Sequence, residues 1–174
     1  RNIGIKNSKG NYIAFLDSDD VWHKDKLKYQ IKFMKKNKIN LCSTSYRIID
    51  EQGKILKLRK TDKKICFKDL NYSCDIGLST VVINNKAFKN KIIFPNLLTK
   101  EDYVLWLNLC KKGECFHGIN KNLVLWRKTS NSLSSNVIQK LLDGFRVYNI
   151  YLKFNFFKSL IFLMILSFNY LRKY

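Results

Sequence analysis

Apolar residues are grouped along the chain in short runs and in longer periodic stretches, a pattern that predicts strands and helices in alternation. Residues 1–9 have the composition expected at the end of a helix, and Gly10 is placed to stop it. Residues 12–16 follow as a short apolar run, which predicts a strand buried on both faces. The chain is therefore expected to begin with a helix end and a buried strand.

The next residues show helical periodicity first and a strand-like composition after it. A helix with lysines on its outer faces is predicted from about Val21. Its apolar stripe consists of Leu27, Ile31 and Met34. Residues 41–49 are rich in β-branched and aromatic side chains and predict a strand. Residues 50–53 (DEQG) form a predicted turn, so that residues 54–58 would return as the second arm of a hairpin.

The second half of the chain repeats the alternation. Residues 79–83 (STVVI) predict a strand, and residues 100–111 predict a helix closed by Gly113. A last short strand is predicted at 123–126, and helical residues dominate from Val137 onward. Strands that alternate with helices predict an α/β sandwich, and the sequence contains no internal repeat and no low-complexity linker.

Length limits the number of domains in the chain, and charge indicates the kind of partner it binds. The 174 residues are enough for one domain with a hydrophobic core. The 33 Lys and Arg residues oppose 13 Asp and Glu residues, which gives a formal net charge of +20. Such an excess favours anionic partners: nucleic acid, nucleotide phosphates or an acidic membrane surface. Genome composition is an alternative explanation, because Lys, Asn and Ile are all abundant.

The cysteines bear on the redox compartment of the protein, and the first residue bears on whether the sequence is a fragment. Five cysteines form an odd set without a CxxC pair, which argues against a disulfide framework and against a zinc ribbon. Reduced cytosolic thiols are therefore predicted. No signal peptide opens the chain, and its first residue is Arg1 rather than Met. We expect a fragment whose N-terminal part is missing.

The densest acidic cluster of this basic chain comes directly after the first predicted strand. Asp17, Asp19 and Asp20 occupy three of four consecutive positions. Ligands of open α/β sheets bind outside the carboxyl ends of strands, and two carboxylates spaced i, i+2 there can converge on one Mg²⁺ or Mn²⁺ ion. The alternative is that one Asp caps the following helix, although three acids so close together repel one another.

A second acidic pair, Glu101 and Asp102, opens the helix predicted in that region. Thr99 with Asp102 three positions later resembles a capping box, and acids in a first helical turn also suit the helix dipole. A functional alternative is that a carboxylate facing a cleft accepts a proton from a substrate hydroxyl as general base. The apolar neighbours Tyr103 and Trp106 would then raise the pKa of that carboxylate by desolvation.

Together these two segments resemble a known family. RNIGIKNSKGNYIAFLDSDDVWHKDKL is similar to the central signature of family-two glycosyltransferases, and TKEDYVLWLNL is similar to their second signature, a Glu-Asp pair before an aromatic-rich helix. The likeness covers roughly residues 1–135, and the first signature is long and specific. It implies an α/β fold with a GT-A-like (Rossmann-like) mixed sheet flanked by helices, truncated at its N-terminus.

The resemblance assigns roles by position. Asp19 corresponds to the main metal ligand, assisted by Asp17, and Asp102 corresponds to the catalytic base, with Glu101 beside it. The positions that correspond to donor-binding residues are Arg1, Asn2, Asp17 and Arg127. Thr129 departs from the pattern, because relatives often have His at that position.

The reaction that the resemblance implies is inverting transfer of a sugar from a nucleotide-sugar donor to a hydroxyl of a glycan or lipid-linked acceptor. Asp102 would deprotonate the acceptor, while Mg²⁺ or Mn²⁺ would stabilise the departing nucleoside diphosphate. This chemistry suits the synthesis of cell-envelope or surface polysaccharides. The family's first strand, first helix and nucleotide-reading acid should precede Arg1, so the isolated chain is expected to bind the donor weakly or not at all.

The C-terminal segment, 136–174, is predicted to be helical and distinct from the partial catalytic domain, 1–135. Its uncharged core runs over the thirteen residues 159–171, fewer than the roughly 20 that a spanning helix needs. The basic residues that flank this core are Lys153, Lys158, Arg172 and Lys173. The pattern predicts either a helix lying in the membrane interface, at the inner face of the cell membrane, or a terminal helix packed on the domain or on a partner subunit.

Two other functions are compatible with parts of the pattern. A nucleic-acid-binding module is suggested only by charge, and the sequence has no RNP, KH, zinc or helix-turn-helix signature, so no nucleic acid partner is expected. An inactive remnant of a glycosyltransferase is compatible with a missing N-terminal segment. Against the remnant, the acids at 17, 19 and 102 are all present.

Overall fold

A computed structural model of the chain describes residues 1–88, 92–111, 113–129 and 136–173. The strands are β1 Tyr12–Ala14, β2 Val21–Trp22, β3 Leu41–Ile49, β4 Ile55–Arg59, β5 Lys64–Ile65, β6 Val82–Asn84 and β7 Phe116–Arg127. The helices are α1 Asn2–Asn7, α2 Lys26–Asn37, α3 Phe67–Leu70, α4 Glu101–Cys110, α5 Val137–Arg146 and α6 Phe156–Lys173. Short 3₁₀ turns at Leu78–Thr80 and Asn85–Phe88 flank β6, and a π turn at Val147–Tyr151 follows α5.

The centre of the sheet is the parallel pair β3 and β7, with Leu41 opposite Phe116 and Ile49 opposite Arg127. Two strands, β6 and β4, pair antiparallel with opposite ends of β3, and β5 and β2 pair antiparallel with opposite ends of β7. The order β1-β6-β3-β7-β2 completes a mixed sheet. Because β3 and β7 are parallel, their carboxyl ends lie at one edge, where ligands of such sheets bind.

The main hydrophobic core lies around α4, which is buried on almost every side. Trp106 of this helix packs edge-on against Phe116 of β7, with ring centroids 5.1 Å apart. Val147, Tyr148 and Leu166 of the C-terminal segment belong to the same buried cluster. The helices after residue 136 are therefore packed on the core that holds α4.

Several predicted elements are confirmed with small shifts of their bounds. The strand expected at 12–16 is β1, and the expected hairpin is β3 paired with β4. The helix expected at 100–111 is α4, and Gly113 has the positive φ of 94° that favours glycine after a helix. Strands and helices alternate as the α/β prediction requires.

The helix predicted from Val21 is wrong at its start and in its buried face. Val21 begins β2, which pairs with the end of β7, and α2 begins only at Lys26. The buried side chains of α2 are Lys26, Gln30 and Met34. Of the predicted stripe, Met34 is buried, and beside it the amide of Gln30 donates to the carbonyl of Thr80 at 2.9 Å, a tertiary hydrogen bond that allows this polar side chain on the buried face.

Two strand predictions need correction. The run at 79–83 is divided between a 3₁₀ turn and β6, which begins at Val82. The short strand expected at 123–126 is the end of the longer β7, whose first half mixes polar and apolar residues and exists because it pairs with β3. The short elements β5 and α3 have no clear signal in the sequence.

The prediction that all thiols are reduced is wrong in this structure. Cys66, just before α3, forms a disulfide with Cys115, just before β7, and the two Cα atoms are 4.4 Å apart. The other three cysteines are free. The pairing depends on β5 lying beside β7, which brings together two residues 49 positions apart.

The C-terminal helix α6 covers 18 residues. Within the described ranges, no helix combines the length and the apolar character that crossing a membrane requires.

Candidate functional site

An aromatic cluster brings the two acidic segments together. Phe15, at the end of β1, is buried and packs edge-on against Phe94, with ring centroids 5.4 Å apart. It also lies 6.3 Å from the ring of Trp106, which belongs to α4. Because Asp17 follows Phe15 and Glu101 begins the helix of Trp106, this packing holds both acidic segments at one edge of the sheet.

Arg1 connects the two segments directly. One guanidinium nitrogen donates to the carboxylate of Asp17 at 2.7 Å, and the other donates to the carboxylate of Glu101. The guanidinium also lies over the ring of Phe94, 5.5 Å from its centroid. Burial alone would lower the pKa of Arg1, but the two carboxylates outweigh it and raise that pKa. Asp17 and Glu101 therefore lie on either side of one cation.

Hydrogen bonds to the backbone fix the neighbours of this ion pair. The side chain of Asn2 both donates to the carbonyl and accepts from the amide of Phe94, each at 2.9 Å. The hydroxyl of Ser79 accepts from the amide of Asp17 at 3.1 Å, and the indole of Trp22 donates to the carbonyl of Ser79 at 2.8 Å. The loop that carries Asp17 is thus bonded to Ser79, which Trp22 holds in turn.

The other two acids of the loop differ in exposure. Asp19 is exposed, whereas Asp20 is buried and accepts a hydrogen bond from the backbone amide of Arg127 at 2.9 Å. Burial raises the pKa of Asp20 to about 6, and the charges of Asp19 and Asp17 add to this effect. The alternative that one of these acids caps a helix is wrong, because the next helix begins at Lys26 without a side-chain cap.

Arg127 ties the acidic loop to the turn between β3 and β4. Its Nε donates to the carbonyl of Asp19 at 3.0 Å. One terminal nitrogen donates to the carbonyls of Asp50 and Glu51, at 3.0 and 2.9 Å. In this arrangement the guanidinium orders the backbone of the acidic loop, and its contact with a diphosphate stays a prediction.

Asp102 lies half-buried at the start of α4 and lines a cavity. Its carboxylate accepts a hydrogen bond from the amide of Tyr103 at 2.7 Å. Burial raises the pKa of Asp102 to about 6, and the charge of Glu101 contributes. A carboxylate with a pKa in this range is suited to accept a proton near neutral pH.

The capping box expected at Thr99 is wrong, and the correction reveals a residue that the sequence reasoning missed. Thr99 donates from its amide and from its hydroxyl to Asp143 of α5, at 2.9 and 3.0 Å. Gln139 and Arg146 also donate to the fully buried Asp143, each at 2.9 Å. Burial alone would raise the pKa of Asp143, but these four hydrogen bonds lower it.

Asp143 therefore connects the C-terminal segment to the residue three positions before Asp102. The sequence contained one signal for it, an acid placed between apolar residues in LLDGF of a predicted helix. Buried acids without a partner are costly, so an acid in that position predicts a specific hydrogen-bond acceptor role. Its partner, Thr99, could not be identified from the sequence pattern.

The acidic loop has the donor chemistry that a hard divalent cation needs. Among the described residues, no group of three or more His, Cys, Asp or Glu side chains is placed to hold a metal ion. Asp17 and Asp19 offer carboxylate oxygens, and Mg²⁺ is often held by one or two carboxylates together with substrate phosphates. The residues present fit such a shared site.

Comparison with known sequences identifies the family. A sequence model described as Glycosyl transferase family 2 matches residues 1–94. The chain belongs to glycosyl transferase family 2. The match includes the acidic loop and ends at Phe94, the residue on which Arg1 and Asn2 are placed. The resemblance to the family is confirmed, and the first of the two signatures lies within the matched residues.

Relatives of this chain in the family come from different bacteria. A Bacillus subtilis (strain 168) protein, provisionally named as a teichuronic acid biosynthesis glycosyltransferase, TuaG, is 34% identical over 160 residues. The alignment covers 91% of this chain and 63% of TuaG. The Escherichia coli UDP-Glc:alpha-D-GlcNAc-diphosphoundecaprenol beta-1,3-glucosyltransferase WfgD is 37% identical over 143 residues, which cover 81% of this chain and 55% of WfgD. The chain thus spans only part of the length of these family 2 relatives.

Solved structures confirm the fold. S. aureus TarS 1-349, crystallised in complex with UDP-GlcNAc, matches with a TM-score of 0.65 at 18% identity. The match covers 86% of this chain and 44% of the TarS chain. The expected GT-A-like mixed sheet flanked by helices is therefore the fold of this family 2 member.

Proposed function

We propose that the protein is an inverting glycosyltransferase, which moves a sugar from a nucleotide-sugar donor to an acceptor hydroxyl during synthesis of a cell-envelope glycan. The observation that carries the proposal is the ion-pair bridge of Arg1 between Asp17 and Glu101. It joins the segment with the chemistry of a metal-diphosphate site to the segment with the chemistry of a general base. Both groups are required within one cleft for sugar transfer.

The donor side consists of the loop after β1. Asp19 and Asp17 would hold Mg²⁺ or Mn²⁺, and a cation bound there offsets the negative charge of the diphosphate leaving group. Arg1 and Asn2 both contact Phe94, beside the same loop. Arg127 donates a hydrogen bond to the backbone of that loop and so orders it. These contacts support a role for Arg1 and Asn2 in orienting the donor diphosphate and for Arg127 in holding the loop that binds it.

The acceptor side is formed by the start of α4. Asp102 accepts the proton of the acceptor hydroxyl as that oxygen bonds to the anomeric carbon of the donor sugar. The bond between the anomeric carbon and the diphosphate oxygen breaks at the same time, and its electron pair leaves with the nucleoside diphosphate. Burial, with a contribution from the charge of Glu101, raises the pKa of this base to about 6, near the range useful at neutral pH.

The names of the relatives support the substrate classes. TarS was crystallised with UDP-GlcNAc, and the name of WfgD specifies UDP-Glc and a diphosphoundecaprenol-linked acceptor. A nucleotide-sugar donor and a glycan or lipid-linked acceptor are proposed for this chain on the same basis. Exposed apolar residues of α6, including Phe157 and Met164, support peripheral contact with the inner face of the cell membrane.

The experiment measures transfer from a panel of radiolabelled nucleotide-sugars by the full-length natural chain, with EDTA and after readdition of Mg²⁺ or Mn²⁺. We expect metal-dependent turnover with one donor, and its loss in Asp19→Asn. Asp25→Asn is the matched control, because Asp25 lies before α2 and outside the acidic loop. Full turnover in Asp19→Asn would contradict the proposed role of the loop.

A further inference from the structure

The residue that precedes α4 has an unusual backbone. Lys100 lies at the N-cap of this helix with φ 61° and ψ 17°, in the left-handed region. N-cap residues normally have an extended backbone, and a left-handed backbone is strained for any residue other than glycine. Lys38 has a similar φ of 54°, but it follows the end of α2, where a left-handed residue is ordinary. The strain at Lys100 therefore belongs to the start of the helix that carries Asp102.

Contacts with α5 hold Lys100 in this conformation. Thr99, the residue before it, donates from its amide and from its hydroxyl to Asp143. The aliphatic stem of Lys100 passes Gly144, where an added Cβ would lie 3.5 Å from the Cε of the lysine. Two consecutive residues before α4 thus lie against two consecutive residues of α5, and the stem rests on the helix without a side chain between them.

This arrangement places the side chain of Lys100 in a cavity of about 850 Å³ that Asp102 also lines. Lys100 is half-buried there. Its ammonium forms no ion pair within the part of the chain that the structure describes, so no carboxylate in direct contact neutralises it. The charge of Lys100 therefore acts through space on the other groups of the cavity.

Several elements contribute groups that face Asp102. Burial raises the pKa of its carboxyl to about 6 and the charge of Glu101 contributes, whereas a backbone hydrogen bond and the charges of Lys100 and Arg1 oppose the rise. The other charged residues of the described lining are Lys57, Arg59, Lys60, Asp62, Asp75 and Lys140. Its remaining titratable residues are Tyr46, Cys74 and Tyr170. Of the two cations that act on Asp102, Arg1 is shared between two carboxylates, and Lys100 is held by α5.

An acceptor that fills the cavity removes water from around Asp102. Loss of water favours the neutral form of a carboxyl group, and a neutral carboxyl group accepts no proton. A fixed cation beside the carboxylate opposes this effect, and the attraction between the two charges grows as water leaves the cavity. The base therefore needs a counter-charge most when the acceptor is bound.

We propose that Lys100 is a positioning residue for sugar transfer, a cation that its strained backbone and α5 hold beside Asp102 so that this base stays ionised when the acceptor is bound. The inference rests on the proposed function, because it takes Asp102 as the base. The strain at Lys100 is then a cost of placing the ammonium in the cavity. The feature that the reaction needs is the charge of Lys100.

The first test measures the ionisation of Asp102 without donor, acceptor or turnover. The carboxyl carbon is followed by ¹³C NMR against pH in the full-length natural chain labelled with ¹³C-aspartate, and Asp102→Asn identifies its signal. We expect Lys100→Met to raise the titration midpoint by about half a pH unit or more, and Lys100→Arg to keep it near the wild-type value because the charge remains. Lys38→Met is the matched control, a left-handed and exposed lysine at the end of α2.

The second test is a pH–rate profile of the same variants. Lys100→Met should raise the acidic midpoint of kcat, which reports the enzyme with bound substrates, more than that of kcat/KM, which reports the free enzyme. Lys100→Gly removes the charge and also relieves the backbone strain. It is expected to raise the midpoints as Lys100→Met does, while it increases the urea concentration at which half of the protein is unfolded.

The outcomes separate charge, packing and function. Midpoints that stay in place in Lys100→Met, or that rise equally in Lys38→Met, overturn the proposal. A midpoint that rises as far in Lys100→Arg as in Lys100→Met assigns the effect to packing and overturns it as well. Equal rises in kcat and kcat/KM overturn the role assigned to the bound acceptor. The expected ¹³C titrations in a chain that transfers no sugar would leave the electrostatic effect of Lys100 on Asp102 standing and overturn only the proposed function.

Discussion

Asp102 is the residue on which the proposed chemistry depends most, and opposing influences set its pKa. Burial raises the pKa to about 6 and the charge of Glu101 contributes, while Lys100 and Arg1 act in the opposite direction. A general base must be ionised to accept a proton, so the active fraction of the enzyme grows as pH rises through this value.

We expect kcat/KM for transfer to rise with pH up to about 6 and to level off above it. Glu101→Gln removes a neighbouring negative charge, which lowers the pKa of Asp102 and moves the midpoint to lower pH. A pH–rate profile of both proteins measures the shift. Glu114→Gln serves as control, since Glu114 bonds Asn40 away from this site. A midpoint that stays in place in Glu101→Gln would contradict the electrostatic account.

Lys26 is a buried cation whose Nζ lies 4.1 Å from the ring centroid of Trp22 and has no hydrogen-bond partner among the described residues. Burial lowers the pKa of Lys26 to about 7, and the nearby Cys42 acts weakly in the opposite direction. An unfolded lysine ionises near pH 10.4. Between these values the unfolded chain binds a proton that the folded chain lacks, so stability falls as pH decreases from about 10 to about 7.

Lys26→Met is expected to raise the free energy of unfolding at pH 7 and to flatten its pH dependence between about 7 and 10. The variant keeps a long side chain over Trp22 but removes the charge. Urea denaturation across this pH range measures both effects. Lys28→Met, on an exposed position of the same helix, should leave the slope unchanged. Identical slopes for Lys26→Met and the wild type would refute the prediction.

At the scale of elements, α5 positions the start of α4. Asp143 accepts two hydrogen bonds from Thr99, and Lys100 follows with its backbone in the left-handed region. A Cβ on Gly144 would lie 2.8 Å from Leu163 of α6, so α5 and α6 approach closely at the same level. The C-terminal helices thus hold the segment that carries the proposed base.

Asp143→Asn should lower kcat for transfer more than it changes KM for the donor. Both Thr99 hydrogen bonds go to one oxygen of Asp143, so the loss of its negative charge weakens them, and an amide nitrogen in place of the other oxygen can no longer accept from Arg146; Asp102 is then less well placed. We expect a drop in kcat of about tenfold, with a loss of stability of about 1–3 kcal/mol. Steady-state kinetics measures the change in kcat, and unfolding curves of the same variant measure the loss of stability. A stability loss without any change in kcat would show that Asp143 has a structural role only.

Local signals account for the elements that the sequence predicts well. The β3–β4 hairpin follows from its DEQG turn, and Asp50 indeed accepts hydrogen bonds from the amides of Gln52 and Lys54. The start of α2 could not be predicted, because β2 exists through its pairing with Leu125 and Val124 of β7. The first half of β7 depends in the same way on β3.

The residues of the candidate site also fall into those that a local sequence pattern marks and those that only tertiary contacts bring together. Asp17 and Asp19 could be selected because two acids spaced i, i+2 at a strand end suit a cation, whereas Asp102 could be assigned only through the resemblance to family-two glycosyltransferases. The bridge of Arg1 and the contact of Asp143 with Thr99 join residues far apart in the chain. Such contacts depend on tertiary packing, and no local pattern encodes them.

At the scale of the whole molecule, charge and exposed apolar surface together favour a membrane contact. The formal net charge is +20, and the exposed apolar side chains of α6 include Phe157, Met164 and Phe168. Lys158 lies on the same helix, with its ammonium 4.0 Å from the ring centroid of Phe154. Basic residues beside an apolar helix face are attracted to anionic lipid over about a Debye length.

We expect the protein to sediment with vesicles that contain anionic lipid, less so at high salt and less so with neutral lipid alone. The double variant Phe157→Glu with Met164→Glu should weaken this binding, because it places carboxylates in the apolar face of α6. Ile3→Glu is the matched control, an equally exposed apolar residue on α1. Sedimentation that is the same for both variants would contradict a contact through α6.

The central claim is that acids from two distant segments act in one cleft, one on the donor and one on the acceptor. The most direct test measures donor binding and sugar transfer in the same preparation of the full-length Asp102→Asn variant. The account predicts that the donor Kd changes by less than about threefold, whereas the transfer rate falls by about a hundredfold or more. Transfer at the wild-type rate in this variant would contradict it.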